Sequence, residues 1–148
     1  EVPVFAEDMV KSIIPFIEDN YRVHTDQANR AMAGLSMGGM ETLETTLNNP
    51  EMFSYVWVLS ASFAPGNKEV YEYERVRLKK EADRYNRNFK QLVFTQGRPS
   101  DIAYNNCKET LQLFDEAGIR YEYYEVTGGH SWEAWRQNLH ALAQRLFK

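Results

Sequence analysis

The chain has 148 residues, close to the commonest size of a single domain, and this length suffices to bury a hydrophobic core. Its 17 Lys and Arg residues against 21 Asp and Glu residues give a formal net charge of −4, which argues against a nucleic-acid-binding surface and an anionic membrane partner. Hydrophobic residues make up 43% of the chain, so it is not disordered, and no apolar run approaches the roughly 18 residues of a membrane span. Cys107, the single cysteine, allows no internal disulfide and no cysteine-based metal cluster.

The first predicted element is an amphipathic helix close to the amino terminus. Apolar residues recur there every four positions, at Phe5, Met9, Ile13, Ile17 and Tyr21. Pro15 lies inside this stripe and should kink or restart the helix, because an interior proline removes a backbone hydrogen bond and clashes with the preceding turn. The sequence begins with Glu1 and shows no signal peptide, so we expect a processed product or an excised piece of a longer protein.

Strand-like and helix-like segments alternate over the rest of the chain. Short apolar, β-branched or aromatic runs predict four strands, at residues 31–35, 55–59, 92–95 and 121–126. Amphipathic spacing predicts helices at residues 37–48, 68–90, 103–117 and 131–147. The last of these carries an apolar stripe made of Trp132, Trp135, Leu139, Leu142 and Leu146. Strands separated by helices predict parallel pairing with right-handed crossovers, so the expected fold class is α/β with flanking helices.

A serine flanked by glycines marks the junction between the first predicted strand and the next helix, in the run Gly34-Leu35-Ser36-Met37-Gly38-Gly39. This spacing at a strand-to-helix junction is the pattern of a nucleophile elbow. The turn is so sharp that side chains two residues before and two after Ser36 would collide with the neighbouring strand and helix, so both positions need glycine. The motif predicts Ser36 as a nucleophile and the Met37 N–H as an oxyanion donor. The alternative is a glycine-rich turn in which Ser36 caps the helix.

A serine becomes a good nucleophile only when a base takes its proton, and three histidines are available. His24 lies in a polar segment before the first predicted strand, and His140 lies in mid-helix, facing away from the apolar stripe. His130 follows the last predicted strand, and loops at the carboxyl ends of parallel strands hold the sites of α/β sheets. His130 is therefore the predicted base, and its alternative role is that of a helix-capping loop residue.

The acid that completes a triad should lie between Ser36 and His130, because α/β-hydrolases have the chain order serine, acid, histidine. Asp101, in the loop after the third predicted strand, is the favoured candidate for holding the imidazole in the required tautomer. Ser100 or Asp101 would also make a good N-cap for the helix that follows, so that alternative stays open. Weaker candidates lie within helical patterns: Asp83, Asp115 and Glu133.

Three runs carry a family resemblance: Ala33-Gly34-Leu35-Ser36-Met37-Gly38-Gly39, then Phe53-Ser54-Tyr55 leading to Ser60-Ala61-Ser62, and Gly128-Gly129-His130-Ser131-Trp132-Glu133-Ala134-Trp135-Arg136. Together they resemble the putative esterase (esterase D-like) family of α/β-hydrolases. Within it they look most like the feruloyl and acetyl xylan esterases of carbohydrate esterase family 1. Enterochelin-type siderophore esterases have similar endings. The resemblance covers nearly the whole chain and implies an α/β-hydrolase fold.

The resemblance implies a serine esterase that cleaves feruloyl or acetyl groups from plant cell-wall xylan through an acyl-enzyme, without a metal or an organic cofactor. Its partner would be a small-molecule or polysaccharide ester substrate, and its location secreted or periplasmic. Trp132 and Trp135 would either flank the substrate cleft or pack in the core. Ser62 and Phe63, after the second predicted strand, are candidates for the acyl pocket by position alone.

The family's domain is longer than this chain, so the resemblance implies one domain over residues 1–148 that is the carboxyl-terminal half of the fold. The early strands and the second oxyanion donor would then be absent, and only the Met37 N–H carries over. A companion segment or a homodimer would complete the sheet. Two other functions stay open: a siderophore esterase, and a non-catalytic fragment that serves as an assembly module.

Overall fold

The computed structural model describes residues 2–148, and four parallel strands form the sheet of this part of the chain. Each strand pairs with the next, in the order β1 (Ala31–Leu35), β2 (Tyr55–Leu59), β3 (Gln91–Gly97) and β4 (Glu122–Val126). Leu35 lies beside Leu59, and Leu59 lies beside Thr95, so the carboxyl ends of β1 and β2 are level in the sheet. The predicted parallel α/β architecture is confirmed, although β3 is longer than its apolar run predicts.

Helices connect and flank these strands: α1 (Val2–Asp8), α2 (Ile14–Asn20), α3 (Met37–Asn48), α4 (Lys68–Asn88), α5 (Tyr104–Ala117) and α6 (Trp132–Ala143). A π-helical turn, Met9–Ile13, joins α1 directly to α2. Pro15 is the second residue of α2, directly after this turn, and the backbone at Ile13 and Ile14 is helical. The helical segment therefore continues past the proline, and its hydrogen-bond pattern changes from π-helical to α-helical just before it.

The hydrophobic core is centred on β2, whose five residues are all buried. Alternate side chains of a strand point to opposite faces of the sheet. Val56 and Val58 accordingly join the larger buried cluster, to which α3, α4 and α5 contribute their apolar faces. Trp57 and Leu59 join the smaller cluster on the other face, which α6 covers.

The last helix is shorter than predicted, and the residues that it buries differ from the predicted stripe. It ends at Ala143 rather than at residue 147. Leu139, a member of the predicted stripe, is 51% exposed, whereas Asn138 is buried. The buried residues of α6 share one helical face, and they are Ala134, Trp135, Asn138 and Leu142. Leu139 lies outside this face.

The outer edge of β1 has no strand partner among residues 2–148, and Ala33 in its middle is exposed. An apolar groove of about 510 Å³ lies beside this edge, between the strand and the amino-terminal helices. Ile13 and Ile17 of the predicted helical stripe line it and stay more than a third exposed. The apolar stripe of the first helical segment is therefore only partly covered. In the same residues, no helix is both long enough and apolar enough to span a membrane.

Candidate active site

Four polar residues lie together at the end of the sheet where its four parallel strands finish. Ser36 and Ser60 directly follow β1 and β2, whereas Asp101 and His130 lie in the loops after β3 and β4. Ligands of open parallel sheets bind at this carboxyl end of the strands. Each strand thus delivers one polar residue to the candidate site.

Ser36 sits in a strained turn between β1 and α3. Its φ of 53° and ψ of −124° form a combination that residues other than glycine rarely adopt. Its N–H donates to the Leu59 carbonyl at 2.9 Å, which ties the turn to the end of β2. A β-carbon on Gly34 would lie 1.9 Å from the Gly38 carbonyl oxygen, so the position two residues before Ser36 needs glycine.

The second glycine requirement falls at Gly39 rather than at Gly38. A β-carbon on Gly38 would meet no described atom closer than Glu41 Oε2, at 4.0 Å, because this residue faces the groove beside β1. A β-carbon on Gly39 would lie 2.4 Å from Ala61 Cβ, where α3 packs against the loop after β2. The prediction that a side chain two residues after Ser36 would collide with its surroundings is therefore wrong for the described residues 2–148. The residue that has no room for a β-carbon is the next one, Gly39.

Ser36, His130 and Asp101 form one continuous hydrogen-bonded row. Ser36 Oγ lies 2.9 Å from His130 Nε2, and His130 Nδ1 lies 2.8 Å from Asp101 Oδ1. An ionised carboxylate only accepts, so Nδ1 carries the proton of the neutral ring and donates to Asp101. Nε2 is then free to accept the Ser36 hydroxyl proton. The structure thus brings together the three residues that the sequence proposes as a triad.

Close backbone packing carries the His130 loop from the end of β4 back over the end of β3. The Arg98 N–H donates to the Gly128 carbonyl at 3.1 Å. A β-carbon on Gly97 would lie 2.5 Å from the Gly128 oxygen and 2.6 Å from the Gly129 oxygen. Gly128 itself has a φ of 103°, in the region that favours glycine. The glycines therefore let the two loops lie against each other, which places the imidazole beside the Asp101 carboxylate.

Asp101 hydrogen-bonds both the imidazole and the turn before α5, although the N-cap of that helix is Ala103, which has no side-chain cap. Oδ1 accepts from His130 and also from the Ala103 N–H at 2.9 Å, in the turn that leads into α5. Oδ2 accepts from the Ser60 hydroxyl at 2.6 Å and from the Gly97 N–H at 3.2 Å. Burial by itself would raise the pKa of this carboxyl, but these hydrogen bonds outweigh it and hold the pKa below its usual value. Asp101 is thereby kept ionised, as a partner of an imidazole must be.

Two residues of the site, Ser60 and the buried Trp135, were not given a polar role by sequence reasoning. The Trp135 Nε1–H donates to Ser60 Oγ at 2.9 Å, and the Trp135 ring meets the His130 ring edge-on. Trp135 therefore lies beneath the site and packs in the core, so the core alternative holds for it. The sequence feature that could have indicated Ser60 is its position directly after the most apolar strand, at the carboxyl end where α/β sheets bind ligands.

Met37 and Trp132 lie at the surface next to this row. Met37 begins α3 and has a side chain 59% exposed, and a helix leaves the N–H of its first residue without an internal partner. Trp132 begins α6, is 62% exposed and meets the Trp135 ring edge-on at 5.4 Å between centroids. Both positions are open to an incoming molecule.

Ser62 and Phe63 lie in the protein interior rather than at an open pocket. The Ser62 hydroxyl donates to the Phe63 carbonyl at 2.7 Å, and the Phe63 ring stacks on Phe114 within the larger core cluster. Loop position after β2 cannot distinguish an inward from an outward side chain, which is why position alone suggested the pocket.

The other candidate residues make contacts elsewhere. His140 Nε2 lies 3.0 Å from Gln144 on the exposed face of α6, and His24 lines the groove beside β1. Asp115 accepts from the Tyr121 hydroxyl at 2.8 Å. Among residues 2–148, no three His, Cys, Asp or Glu side chains are arranged to hold a metal ion.

Comparison with known proteins gives consistent matches. A family model described as putative esterase matches residues 3–146. An endo-1,4-β-xylanase/feruloyl esterase from Xylanibacter ruminicola is 35% identical over 145 residues, which are 97% of this chain and 18% of that protein. A serine-to-alanine variant of the feruloyl esterase module from Clostridium thermocellum, complexed with sinapinate, superposes with a TM-score of 0.81 at 19% identity, covering 99% of this chain and 59% of that one.

An S-formylglutathione hydrolase from Staphylococcus aureus superposes with a TM-score of 0.77 at 18% identity, covering 98% of this chain and 63% of that chain. At such identities the structural likeness shows the fold alone. The chain spans less than a fifth of the Xylanibacter protein and about six-tenths of these two solved chains.

Proposed function

From the chain's membership of the putative esterase family and its α/β-hydrolase fold, we propose that it hydrolyses carboxylic esters. In this proposal Ser36 is the nucleophile, His130 is the base and Asp101 is the acid that orients the imidazole. The observation that carries the proposal is the continuous row from Ser36 Oγ through the His130 ring to the Asp101 carboxylate, with both distances below 3 Å. Nucleophile and base within hydrogen-bond reach, with the base oriented by a third group, are the requirements of nucleophilic acyl transfer.

In the proposed reaction, Ser36 Oγ attacks the ester carbonyl carbon while His130 Nε2 accepts the hydroxyl proton. The tetrahedral intermediate carries its negative charge on the former carbonyl oxygen, beside the Met37 N–H at the amino terminus of α3. The imidazolium then protonates the leaving alcohol as the C–O bond breaks, which leaves the acyl group on Ser36. Water attacks this acyl-enzyme with His130 again as base, and the acid and free Ser36 are released. Asp101 stabilises the imidazolium in both halves of the reaction.

For the substrate, we propose feruloyl esters of xylan, because one relative is an endo-1,4-β-xylanase/feruloyl esterase and one structural neighbour is a feruloyl esterase module. Acetyl esters of xylan are the alternative that the family resemblance implies. The exposed Trp132 ring, which packs edge-on against Trp135, supports an aromatic acyl group, because offset or edge-on aromatic contacts stabilise such a ring beyond its burial. A polymeric plant substrate also requires a location outside the cytoplasm, which is the location we propose.

Ester turnover by the purified chain tests the proposal against the alternative of a non-catalytic assembly module. We expect release of p-nitrophenol from p-nitrophenyl acetate and of ferulate from methyl ferulate, and no turnover by Ser36→Ala. Loss of the nucleophile of a triad costs about 10⁶ in kcat. Equal rates for the wild type and for Ser36→Ala would contradict the proposed nucleophile. An inactive wild type would favour the assembly module or a requirement for a further segment.

We further infer that the free edge of β1 is completed by a companion segment of polypeptide. The edge offers unpaired backbone groups in an apolar setting, and such an edge readily pairs with another strand. The adjoining groove, with its partly exposed Ile13 and Ile17, would be covered by the same segment. A second copy of the chain is the alternative occupant, and the oligomeric state of the isolated chain distinguishes the two.

A further inference from the structure

The hydroxyl of Ser60 lies between the Trp135 indole and the Asp101 carboxylate. The Trp135 Nε1–H donates to Ser60 Oγ at 2.9 Å, and Ser60 Oγ lies 2.6 Å from Asp101 Oδ2. An indole nitrogen can only donate a hydrogen bond, so the Ser60 oxygen accepts on that side and its own proton points at Asp101. Trp135 therefore fixes the direction of the Ser60 hydroxyl.

These three side chains are withdrawn from solvent, since Ser60 is 1% exposed, Asp101 2% and Trp135 9%. In such surroundings a hydrogen bond to an ionised carboxylate is strong, and water does not readily replace one that is lost. Of the two partners of Asp101 Oδ2, Ser60 is the nearer, because the Gly97 N–H lies at 3.2 Å. Ser60 is thus the main restraint on the carboxylate oxygen that does not face the imidazole.

Ser60 holds this position in a strained backbone conformation. Its φ is 49°, and its N–H donates to the Thr95 carbonyl at 2.7 Å. Glycine adopts a positive φ without a steric penalty, and strain in other residues clusters at functional sites. The hydroxyl is what serine offers at this position and glycine does not.

Trp135 also contacts the other side of the row. Its ring meets the His130 ring edge-to-face, with 5.0 Å between centroids and 84° between planes. The contacts therefore form a closed ring that runs from His130 to Asp101, on to Ser60 and Trp135, and back to His130. A rotation of either the carboxylate or the imidazole would break at least one of them.

We propose that Ser60 and Trp135 are positioning residues, which hold the Asp101 carboxylate and the His130 ring in the geometry that Ser36 requires. This inference rests on the proposed esterase function and deepens it, because it assigns the end of β2 a role in the same site. Both residues are buried, so the proposed role acts through Asp101 and His130. Loss of the Ser60 hydroxyl should therefore lower kcat about 10- to 100-fold, the effect typical of groups that orient a ligating or catalytic side chain, and leave KM unchanged.

Two substitutions of Ser60 separate this role from a purely structural one. Ser60→Gly removes the hydroxyl but relieves the positive φ, whereas Ser60→Ala removes the hydroxyl and keeps the strain. We expect kcat for p-nitrophenyl acetate to fall about equally in both, while Ser60→Ala unfolds at a lower temperature than Ser60→Gly because only Ser60→Ala keeps the strain. Thr46→Val is the matched control, since it deletes a buried hydroxyl that donates to the Thr42 carbonyl at 2.7 Å, away from the row. A wild-type kcat in Ser60→Gly would overturn the proposal.

A spectroscopic measurement makes the test independent of turnover. The proton between His130 Nδ1 and Asp101 should give a downfield proton resonance, assigned by its absence in Asp101→Asn. We expect this resonance to broaden or vanish in Ser60→Gly and to shift in Trp135→Phe, which keeps a ring against His130 but lacks the indole N–H. An unchanged resonance in both variants would overturn the positioning role. If the wild type shows no turnover, as the assembly module or a missing segment would predict, this resonance alone still decides between the outcomes for Ser60 and Trp135.

Discussion

At the scale of single residues, the Asp101 carboxylate joins the chemistry of the site to the start of α5. One oxygen accepts from both His130 and the Ala103 N–H, and the other accepts from Ser60 and Gly97. The same carboxylate therefore holds both the imidazole and the turn before α5, whose N-cap is Ala103. Any change at Asp101 should disturb both.

Asp101→Asn is expected to lower kcat by about 10⁴, because an amide favours the wrong histidine tautomer. It should also lower the free energy of unfolding by about 1–3 kcal/mol, because buried donors lose an ionised acceptor. Steady-state kinetics and urea denaturation measure the two effects. Asp19→Asn, on the exposed end of α2, is the control and should change neither. A loss of stability with full activity would identify Asp101 as a cap only.

The lowered pKa of Asp101 predicts how this stability difference changes with pH. A carboxyl whose pKa is lower in the folded state than in the unfolded state stabilises the fold at pH values above the unfolded pKa, about 4 for aspartate. That contribution is lost as the pH falls through the folded-state value. The gap in unfolding free energy between wild type and Asp101→Asn should therefore be full at neutral pH and shrink below about pH 4. A gap that stays constant down to pH 2 would contradict the assigned direction.

The reactivity of Ser36 can be tested without a substrate. A fluorophosphonate probe should label the wild type at Ser36 and at no other serine. Among residues 2–148, only this hydroxyl is hydrogen-bonded to the His130 Nε2 that can take its proton. Labelling should disappear in Ser36→Ala and persist in Ser12→Ala, an exposed serine of the amino-terminal helical segment. Peptide mass spectrometry of the labelled chain locates the adduct. An adduct on any other serine would overturn the assignment.

At the scale of elements, the turn between β1 and α3 makes unequal demands on its glycines. Gly38→Ala should be neutral or stabilise the fold by up to about 1 kcal/mol, since alanine loses less backbone entropy in a helix and nothing described lies within 3.4 Å of the new methyl group. Gly39→Ala should destabilise it by roughly 1–3 kcal/mol, because its β-carbon would overlap Ala61. Thermal unfolding of the two variants checks this order. Equal losses would show that Gly38 has a close neighbour after all.

The sequence predicts elements well where local pattern and tertiary environment agree. β1, β2 and α3 have the predicted bounds, because a short apolar run followed by glycine-serine and ended by Asn49-Pro50 leaves few alternatives. The predicted apolar stripe of α6 includes Leu139, which is half-exposed, because apolar character fixes a helical face only to within about one position. Ser60 and Trp135 could not be linked from the sequence, because 75 positions separate them and only the packing of α6 on β2 brings them together.

At the scale of the whole molecule, the sheet is asymmetric at its two edges. β4 carries tyrosines and glutamates that pair with one another and with basic residues, and polar edges of this kind resist further pairing. β1 instead borders an apolar groove lined by partly exposed side chains of the first helical segment. The site lies between these edges, so completion of the sheet at β1 would add surface directly beside Ser36.

The exposed β1 edge predicts that the isolated 148-residue chain does not remain a monomer. Unpaired strand edges next to apolar surface associate, and we expect size-exclusion chromatography with light scattering to give masses above 17.3 kDa that rise with concentration. Ile17→Glu should lower this association, because it places a charge in the groove beside β1. Val76→Glu, at an exposed apolar position on α4 away from the groove, is the control and should not lower the association.

The pattern of association identifies what covers the edge. Without its companion segment the edge has no defined partner, so a broad, concentration-dependent distribution supports a companion segment. A single discrete dimer would instead indicate that a second copy of the chain completes the sheet, since a two-fold contact closes on itself. Supplying the missing surface should also raise kcat, because one oxyanion donor is worth about 10² to 10³ in rate and only the Met37 N–H is assigned here. A monodisperse monomer of 17.3 kDa whose kcat does not rise when the missing surface is supplied would contradict completion by a companion segment and by a second copy alike.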